Sequence, residues 1–474
     1  MSEILSITEK KPIAAIATPI GEGGIAVIRV SGRGAIAKVQ ECFKGKDLAA
    51  LPSHTIHFGR ILDPKGRLVD EVLVSLFHSP KSYTGEETVE ISCHGGILVT
   101  QRVYETLLAT GIHPAQAGEF TQRAFLNGKL GLEQAEAVAD LIHARSVKAV
   151  DAANQQLSGS LGAYVKEFRQ QIIDATAMIE LELDFIEEDV EFANKDQLQQ
   201  LLLNLKTAIH CLLESYEVGR LVKDGIKTVL IGRPNAGKST LLNALVGSER
   251  AIVTDIAGTT RDTVDVEWSH GGLLFRLTDT AGLRETADRV EAEGVRRSQE
   301  AVKEADVIVY LRDLNQPFTI KEMNEIKQLQ SSAVETPFIV IGTQFDRLSQ
   351  AQPTFHATHV ANQESDWSKI EDLHISATKG LGLTKLKDRI KEVALRQTHY
   401  DGASLLVTSS RHRYAFEKTM NHVESALNGL TGGLTGDFLA IDLRAALHSL
   451  GTITGEITNE DILDSIFSRF CIGK

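Results

Sequence analysis

The octapeptide Gly232-Arg233-Pro234-Asn235-Ala236-Gly237-Lys238-Ser239 constrains this chain more than any other stretch, because it matches G-x-x-x-x-G-K-[ST] in context. The apolar run 228–231 before it reads as a strand, and residues 240–246 after it read as a helix. Each residue type in the loop has a physical reason. The glycines let successive backbone N–H groups curl around phosphates, and the helix adds its positive N-terminal end. Lys238 reaches the β- and γ-phosphates and is the first expected catalytic residue, while the Ser239 hydroxyl ligates Mg²⁺. Further strand runs at 274–278, 307–311, 337–341 and 373–375 alternate with helical stretches. That alternation predicts a doubly wound, mostly parallel sheet, the Ras-like P-loop architecture.

Three further motifs follow the same logic. Asp279-Thr280-Ala281-Gly282 ends a strand, placing a carboxylate near the Mg²⁺ shell and a glycine N–H near the γ-phosphate. In Asp255-Ile256-Ala257-Gly258-Thr259-Thr260-Arg261-Asp262, Thr260 completes the Mg²⁺ shell. Ser376-Ala377-Thr378 suits a backbone contact to guanine O6. Together these indicate a GTPase rather than a generic ATPase. The expected nucleotide contacts are Asn235-Ala236-Gly237-Lys238-Ser239-Thr240, Thr254 through Thr260, Asp279 through Gly282, Asp346, and Ser376 through Thr378.

Two positions depart from the usual pattern. Where such GTPases carry Asn-Lys-x-Asp, this chain has Thr343-Gln344-Phe345-Asp346. Asp346 keeps the acceptor for the guanine N1 and N2 hydrogens, but the asparagine amide and the lysine stem are missing. A lost hydrogen bond at the base costs about 0.5–1.5 kcal/mol, so GTP should bind roughly tenfold more weakly than to a Thr343→Asn, Gln344→Lys variant. Leu283 stands where a glutamine usually orients the attacking water. Glu291, farther along the same segment than Glu285 and Asp288, is the carboxylate expected to position that water and the second expected catalytic residue. No arginine is identifiable as a finger in cis.

Outside this domain the texture changes. Between 12 and 90, short apolar runs such as 25–28 and 72–74 are bounded by glycine turns, which reads as a mixed α/β domain. Leu132, Ala135, Val138, Ala139, Leu141 and Ile142 then recur at helical spacing, and helical pattern continues to 222 and resumes after 391. The termini of a compact domain are often close, so an α/β domain can be inserted into a helical one. The expected divisions are an N-terminal α/β domain at 1–127, a helical domain in two pieces at 128–220 and 398–474, and a GTPase domain at 221–397. The length of 474 residues agrees with several domains, since a single core stops growing near about 250–300 residues.

A net charge of −13 argues against a broad basic surface for non-specific nucleic-acid binding, though not against a local groove. No apolar run approaches the roughly 18 residues that span a bilayer. The opening Met-Ser-Glu-Ile-Leu lacks the regions of a signal peptide, so a cytoplasmic location without membrane attachment is expected. Cys42, Cys93, Cys211 and Cys471 lie far apart without a CxxC pair, which suggests reduced thiols. Eight acids against one lysine between Glu180 and Asp196 read better as a solvated helix face than as a metal site.

The most specific elements are Ala17-Thr18-Pro19 with Gly23-Gly24, Tyr83-Thr84-Gly85-Glu86, His94-Gly95-Gly96, Gly118-Glu119-Phe120 running into Arg123-Ala124-Phe125-Leu126-Asn127, and the final Cys471-Ile472-Gly473-Lys474. With the GRPNAGKS and DIAGTTRD loops, they make nearly the whole chain resemble the MnmE (TrmE) family of tRNA modification GTPases, of the TrmE-Era-EngA-like P-loop class. The resemblance implies a tetrahydrofolate-binding N-terminal domain, related to aminomethyltransferases, that mediates homodimerisation. It implies that Arg29, Glu90, Lys129 and Lys474 contact 5-formyltetrahydrofolate or a related tetrahydrofolate, although a structural salt bridge is an equally good reading of Arg29. It further implies K⁺ in place of an arginine finger, held by the Asn235 side chain and the carbonyls of Thr254, Ile256 and Thr259; the alternative is that Asn235 braces its own loop.

The family's flavin-dependent partner MnmG, which carries the FAD, joins it in an α2β2 complex. The complex adds a carboxymethylaminomethyl or aminomethyl group at C5 of the wobble uridine in certain tRNAs. Cys471 has no identifiable histidine partner and is assigned no catalysis. Two rival readings remain: a GTP-driven switch in ribosome or RNA maturation, and a folate enzyme with a regulatory GTPase. The lone P-loop and the acidic balance weigh against the first.

Overall fold

A computed structural model describes residues 11–184, 195–247, 266–279, 301–334, 336–347, 373–395 and 405–474. The chain divides into two compact units, one of residues 1–143, 153–207 and 414–474, the other of residues 144–152 and 208–413.

The first unit begins with β1 (Ile13–Ile16), β2 (Ile25–Ser31), α1 (Ala35–Cys42), β3 (Phe43–Lys44), β4 (Thr55–Leu62), β5 (Leu68–Phe77), β6 (Thr88–His94), α2 (Ile97–Leu108) and β7 (His113–Pro114). The strands assemble in the order β3-β4-β5-β6-β2-β1-β7, antiparallel except where β7 joins β1. β5 shows why the pattern makes a sheet. Val72, Val74 and Leu76 alternate inward, while Leu73 and its cross-strand neighbour Phe58 stay exposed. Helices α1 and α2 close the inner face with Ile36, Val39, Val103 and Leu107, packed among Ile28, Val30, Val74 and Ile91. Asp70, buried on that face, is satisfied by His94, whose backbone N lies 2.8 Å and Nδ1 2.7 Å from its carboxylate oxygens.

Helices follow: α3 (Glu119–Leu126), α4 (Leu132–His143), α5 (Val147–Leu157), α6 (Ser160–Asp184) and α7 (Lys195–Asp224). The second unit then contributes β8 (Ile226–Gly232), α8 (Lys238–Gly247), β9 (Val266–His270), β10 (Leu273–Asp279), β11 (Val307–Asp313), α9 (Ile320–Ser332), β12 (Phe338–Thr343), β13 (Leu373–His374) and α10 (Leu383–Ala394). Its sheet runs β13-β12-β11-β8-β10-β9, parallel except for the β9–β10 hairpin. In β11, residues 307–311 are all buried, the unbroken apolar run of a strand covered on both faces. Leu230, Leu241, Phe275, Val309, Ile341 and Leu386 join sheet and helices in one core. The strand β9 is absent from the sequence reading. It returns through the two-residue turn Gly271-Gly272, at φ 57° and 78°, and stacks Trp268 on Phe275 with ring centroids 4.8 Å apart.

The chain ends with α11 (Ser410–Thr431), α12 (Gly436–Thr454) and α13 (Glu460–Phe467). In the first unit α6 packs along α12. Phe168, Ile172, Ala175 and Ile179 form the buried stripe of α6, and Leu443, Ala446, Leu450 and Ile453 that of α12. Arg169 ties the pair, donating from Nη1 to the Leu447 carbonyl at 2.7 Å and meeting Glu456 at 2.6 Å. A second apolar knot joins α4 to α13 through Leu132, Ala135, Leu463, Ile466 and Phe467. Near the chain's end Ile472 forms an isolated bridge with Ala117, between β7 and α3. Gly473, at φ 104°, passes so near β1 that a Cβ would lie 2.7 Å from the Ile16 carbonyl oxygen. Only glycine fits there, and the approach carries Lys474 to the sheet.

Candidate functional site

The loop between β8 and α8 leaves the carboxyl edge of the parallel sheet, where open α/β sheets bind their ligands. Gly232 sits at φ 152°, and a Cβ on it would lie 2.4 Å from the Leu311 carbonyl oxygen. Asn235 at φ 64° and Gly237 at φ 92° then turn the backbone left-handed over the start of α8. The helix closes with Leu241 N donating to Gly237 O at 2.8 Å. Lys238 is buried, and its Nζ donates to the carbonyls of Gly232 at 2.6 Å and Arg233 at 2.9 Å. The ammonium therefore lies back across the loop. Ser239 and Thr240 are exposed in the first turn of α8. Asp279 ends β10 in register with Leu230 of β8.

Arg233 fastens this loop to α9. Its Nε lies 3.0 Å from the buried Glu322 carboxylate, and its Nη2 donates to the Thr319 hydroxyl. Thr319 and Glu322 are themselves the capping box of α9, with Thr319 N 3.1 Å from Oε2 of Glu322 and Glu322 N 3.3 Å from the Thr319 hydroxyl.

On the other side, the end of β12 reaches over the same loop. Buried Thr343 directs its hydroxyl to the carbonyls of Ala236 at 2.7 Å and Arg312 at 3.0 Å. Gln344 donates from Nε2 to the Asn235 carbonyl at 3.2 Å and accepts from Arg347 Nη1 at 2.8 Å. Phe345 stacks on His374. Asp346 faces Ser376 and Thr378, and the Ser376 hydroxyl first among its neighbours holds the carboxyl below the usual carboxylate range. An ionised Asp346 beside the 376–378 turn is a suitable acceptor for the N1 and N2 hydrogens of guanine. Thr343 and Gln344 are thus engaged with the 232–239 loop. Nucleotide titration of the wild type and the Thr343→Asn, Gln344→Lys variant under identical salt tests the tenfold gain expected of that variant.

In the first unit, Arg29 and Glu90 stand opposite each other on β2 and β6, with Nη2 and Oε1 2.8 Å apart. The Arg29 guanidinium lies over the Tyr83 ring at 5.5 Å and near Phe120 at 5.7 Å. Burial pushes the Tyr83 phenol up, and its hydroxyl meets Thr121 at 2.9 Å. Lys474 joins this group. Burial lowers its ammonium from the ordinary value, the Arg29 charge lowers it further, and Glu90 opposes both. Lys129 is placed differently, donating to the Pro80 carbonyl at 3.2 Å. A chain from buried Glu86 through half-buried Arg123 to Glu119, with contacts of 3.2 and 2.8 Å, pins the Tyr83–Glu86 stretch to α3.

A family model described as "MnmE helical domain" matches residues 132–471, and one described as "GTP-binding protein TrmE N-terminus" matches residues 12–129. The tRNA modification GTPase MnmE of Christiangramia forsetii is 45% identical over 98% of this chain and 99% of its own. That of Salinibacter ruber is 44% identical over 99% of this chain and all of its own, 100%. Among solved structures, Aquifex aeolicus Era bound to GDP and AlF4⁻ is 26% identical, covering 41% of this chain and 66% of its own at a TM-score of 0.26. The chain belongs to the MnmE family of tRNA modification GTPases. It is a GTPase, and the same chain carries the family's N-terminal and helical domains and a nucleotide loop on a doubly wound sheet.

Among the residues expected from sequence, Asn235 through Thr240, Asp346, and Ser376 through Thr378 gather at one edge of the second unit's sheet. Thr254 through Thr260, Thr280 through Gly282, Leu283 and Glu291 lie outside the described residues, as do 185–194 of the acidic run. The braces from Thr343, Gln344 and Arg233 and the aromatic support under Arg29 were missed by the sequence reading. Of these, only the Thr-x-x-Glu box of α9 carries a local signal. Among the described residues, no helix is long and apolar enough to cross a membrane, and no group of three His, Cys, Asp or Glu could hold a metal ion.

Proposed function

We propose that this chain hydrolyses GTP at the 232–239 loop and couples that hydrolysis to one-carbon chemistry on tRNA, modifying C5 of the wobble uridine. The observation that carries the reading is the Lys238 loop in a chain that belongs to the MnmE family along nearly its whole length. The full reaction adds a carboxymethylaminomethyl or aminomethyl group and uses a flavin-dependent partner, MnmG, in an α2β2 complex. The division into 1–127, 128–220, 221–397 and 398–474 and a cytoplasmic location belong to the same reading.

Lys238 and the α8 N-terminus bind the phosphates, and Asp346 with Ser376 through Thr378 binds guanine. Ser239 and Thr260 would hold Mg²⁺ through hydroxyl oxygens, a donor type that suits a hard cation. The Asn235 amide oxygen and the carbonyls of Thr254, Ile256 and Thr259 form an all-oxygen set for K⁺, which would supply positive charge beside the β–γ bridge. Glu291 positions the attacking water. In the first unit, the paired Arg29 and Glu90 with Lys474 offer donors and an acceptor matched to the polar edge and carboxylates of a tetrahydrofolate, and Lys129 extends that site. Exposed Ile56, Phe58 and Leu73 on adjoining strands support homodimerisation through the N-terminal sheet.

The test is cation dependence. GTP turnover should be fast in KCl and slow in NaCl at equal ionic strength. Asn235→Ala should remove most of that difference while nucleotide titrations stay nearly unchanged. Equal wild-type rates in both salts would refute the potassium site.

A further inference from the structure

We infer that Thr343 and Gln344 serve the phosphate loop rather than the base, so that affinity and guanine selectivity are set by different residues of one short segment. The inference rests on nucleotide binding at the 232–239 loop and goes beyond it by dividing the labour.

Asn235 and Gln344 are two of the non-glycine residues at positive φ, 64° and 57°, and they touch each other through the Gln344 Nε2 bond to Asn235 O. Backbone of this kind persists only where its surroundings hold it. Gln344 is held on several sides. Its carbonyl accepts from Asn315 Nδ2 at 3.3 Å and from Arg347 N at 3.0 Å, and its Oε1 accepts from Arg347 Nη1 at 2.8 Å. The Arg347 contact also fixes which end of the amide is oxygen, so that the NH2 group faces the loop. Thr343 secures the next carbonyl, Ala236 O.

In a trans peptide the C=O and the following N–H point in opposite directions. Anchoring Ala236 O therefore aims the Gly237 N–H away from β12, toward the space where Lys238 lies. Anchoring Asn235 O likewise sets the Ala236 N–H, which closes the loop's turn on Arg233 O at 3.2 Å. Asp346, two residues beyond Gln344, is instead positioned by Ser376 and Thr378. Phosphate geometry thus depends on positions 343 and 344, and base reading on 346.

Loosening the brace lowers the population of the binding-ready loop and weakens every nucleotide by the same factor. The experiment titrates the full-length wild type and variants with fluorescent GDP and IDP; inosine lacks the N2 amino group that Asp346 accepts. Gln344→Ala should weaken both ligands equally, by about three- to tenfold, the loss of one hydrogen bond. Gln344→Lys keeps a donor and should stay within about twofold of wild type, whereas Gln344→Glu has none and should behave like alanine. Asp346→Asn should instead collapse the GDP-to-IDP ratio. A Gln344→Ala change in that ratio of more than threefold would assign Gln344 to the base, and unchanged affinity for both ligands would remove the brace; either overturns the inference. If the wild type binds neither ligand, the nucleotide reading itself fails.

Discussion

Replacing Glu291 by alanine is expected to lower kcat for GTP hydrolysis by about 10²–10⁴-fold, the cost of losing a positioned acid–base group. GTP affinity should change little, because the carboxylate acts on water rather than on phosphate. The expectation follows from an absence: Leu283, in the usual glutamine position, has no polar atom with which to orient a nucleophile. Single-turnover hydrolysis at saturating GTP, beside a nucleotide titration, separates the two effects. Turnover near that of wild type would assign the water to another group.

Lys238→Ala should produce a different signature, with both binding and turnover falling and kcat dropping by about 10²–10³-fold, as for the loss of a preorganised charge at the transition state. Its Nζ donates to the carbonyls of Gly232 and Arg233, so the variant also loses an internal clasp of the loop. Lys238→Arg should rescue little, since a planar guanidinium does not replace a compact ammonium in a buried position. The same paired measurements check this. A variant that bound GTP normally and lost only turnover would confine the lysine to the chemical step.

The phosphate half of the site is legible in the sequence because its chemistry sits in consecutive residues. Eight positions dictate the loop, and the strand before and helix after it are strongly patterned. Strands of the second unit read as apolar runs because they are covered on both faces; 228–231 and 307–311 lie wholly inside β8 and β11. The hairpin strand β9 was illegible for the opposite reason. Of its residues, Glu267 is taken up by Arg145 and Arg276, and His270 by Asp388, which leaves one buried aromatic and no apolar run. The base half was only partly legible. Asp346 kept its place in a familiar spacing, but the partner of Thr343 lies 107 residues earlier in the chain, and no local pattern records such a bond. Arg29 and Glu90, 61 residues apart, form the pair that one of the two readings of Arg29 anticipated. Their aromatic support from Tyr83 and Phe120 appears only once β2, α3 and the loop before β6 are folded together.

If GTP hydrolysis by this chain drives modification of the wobble uridine, mass analysis of tRNA nucleosides should show it. A strain lacking the gene should lose the carboxymethylaminomethyl or aminomethyl group at C5 of that uridine. The wild-type gene should restore it, and Lys238→Ala, made to the same level, should not. Intact wobble-uridine modification in the deletion strain would rule out this role for the chain.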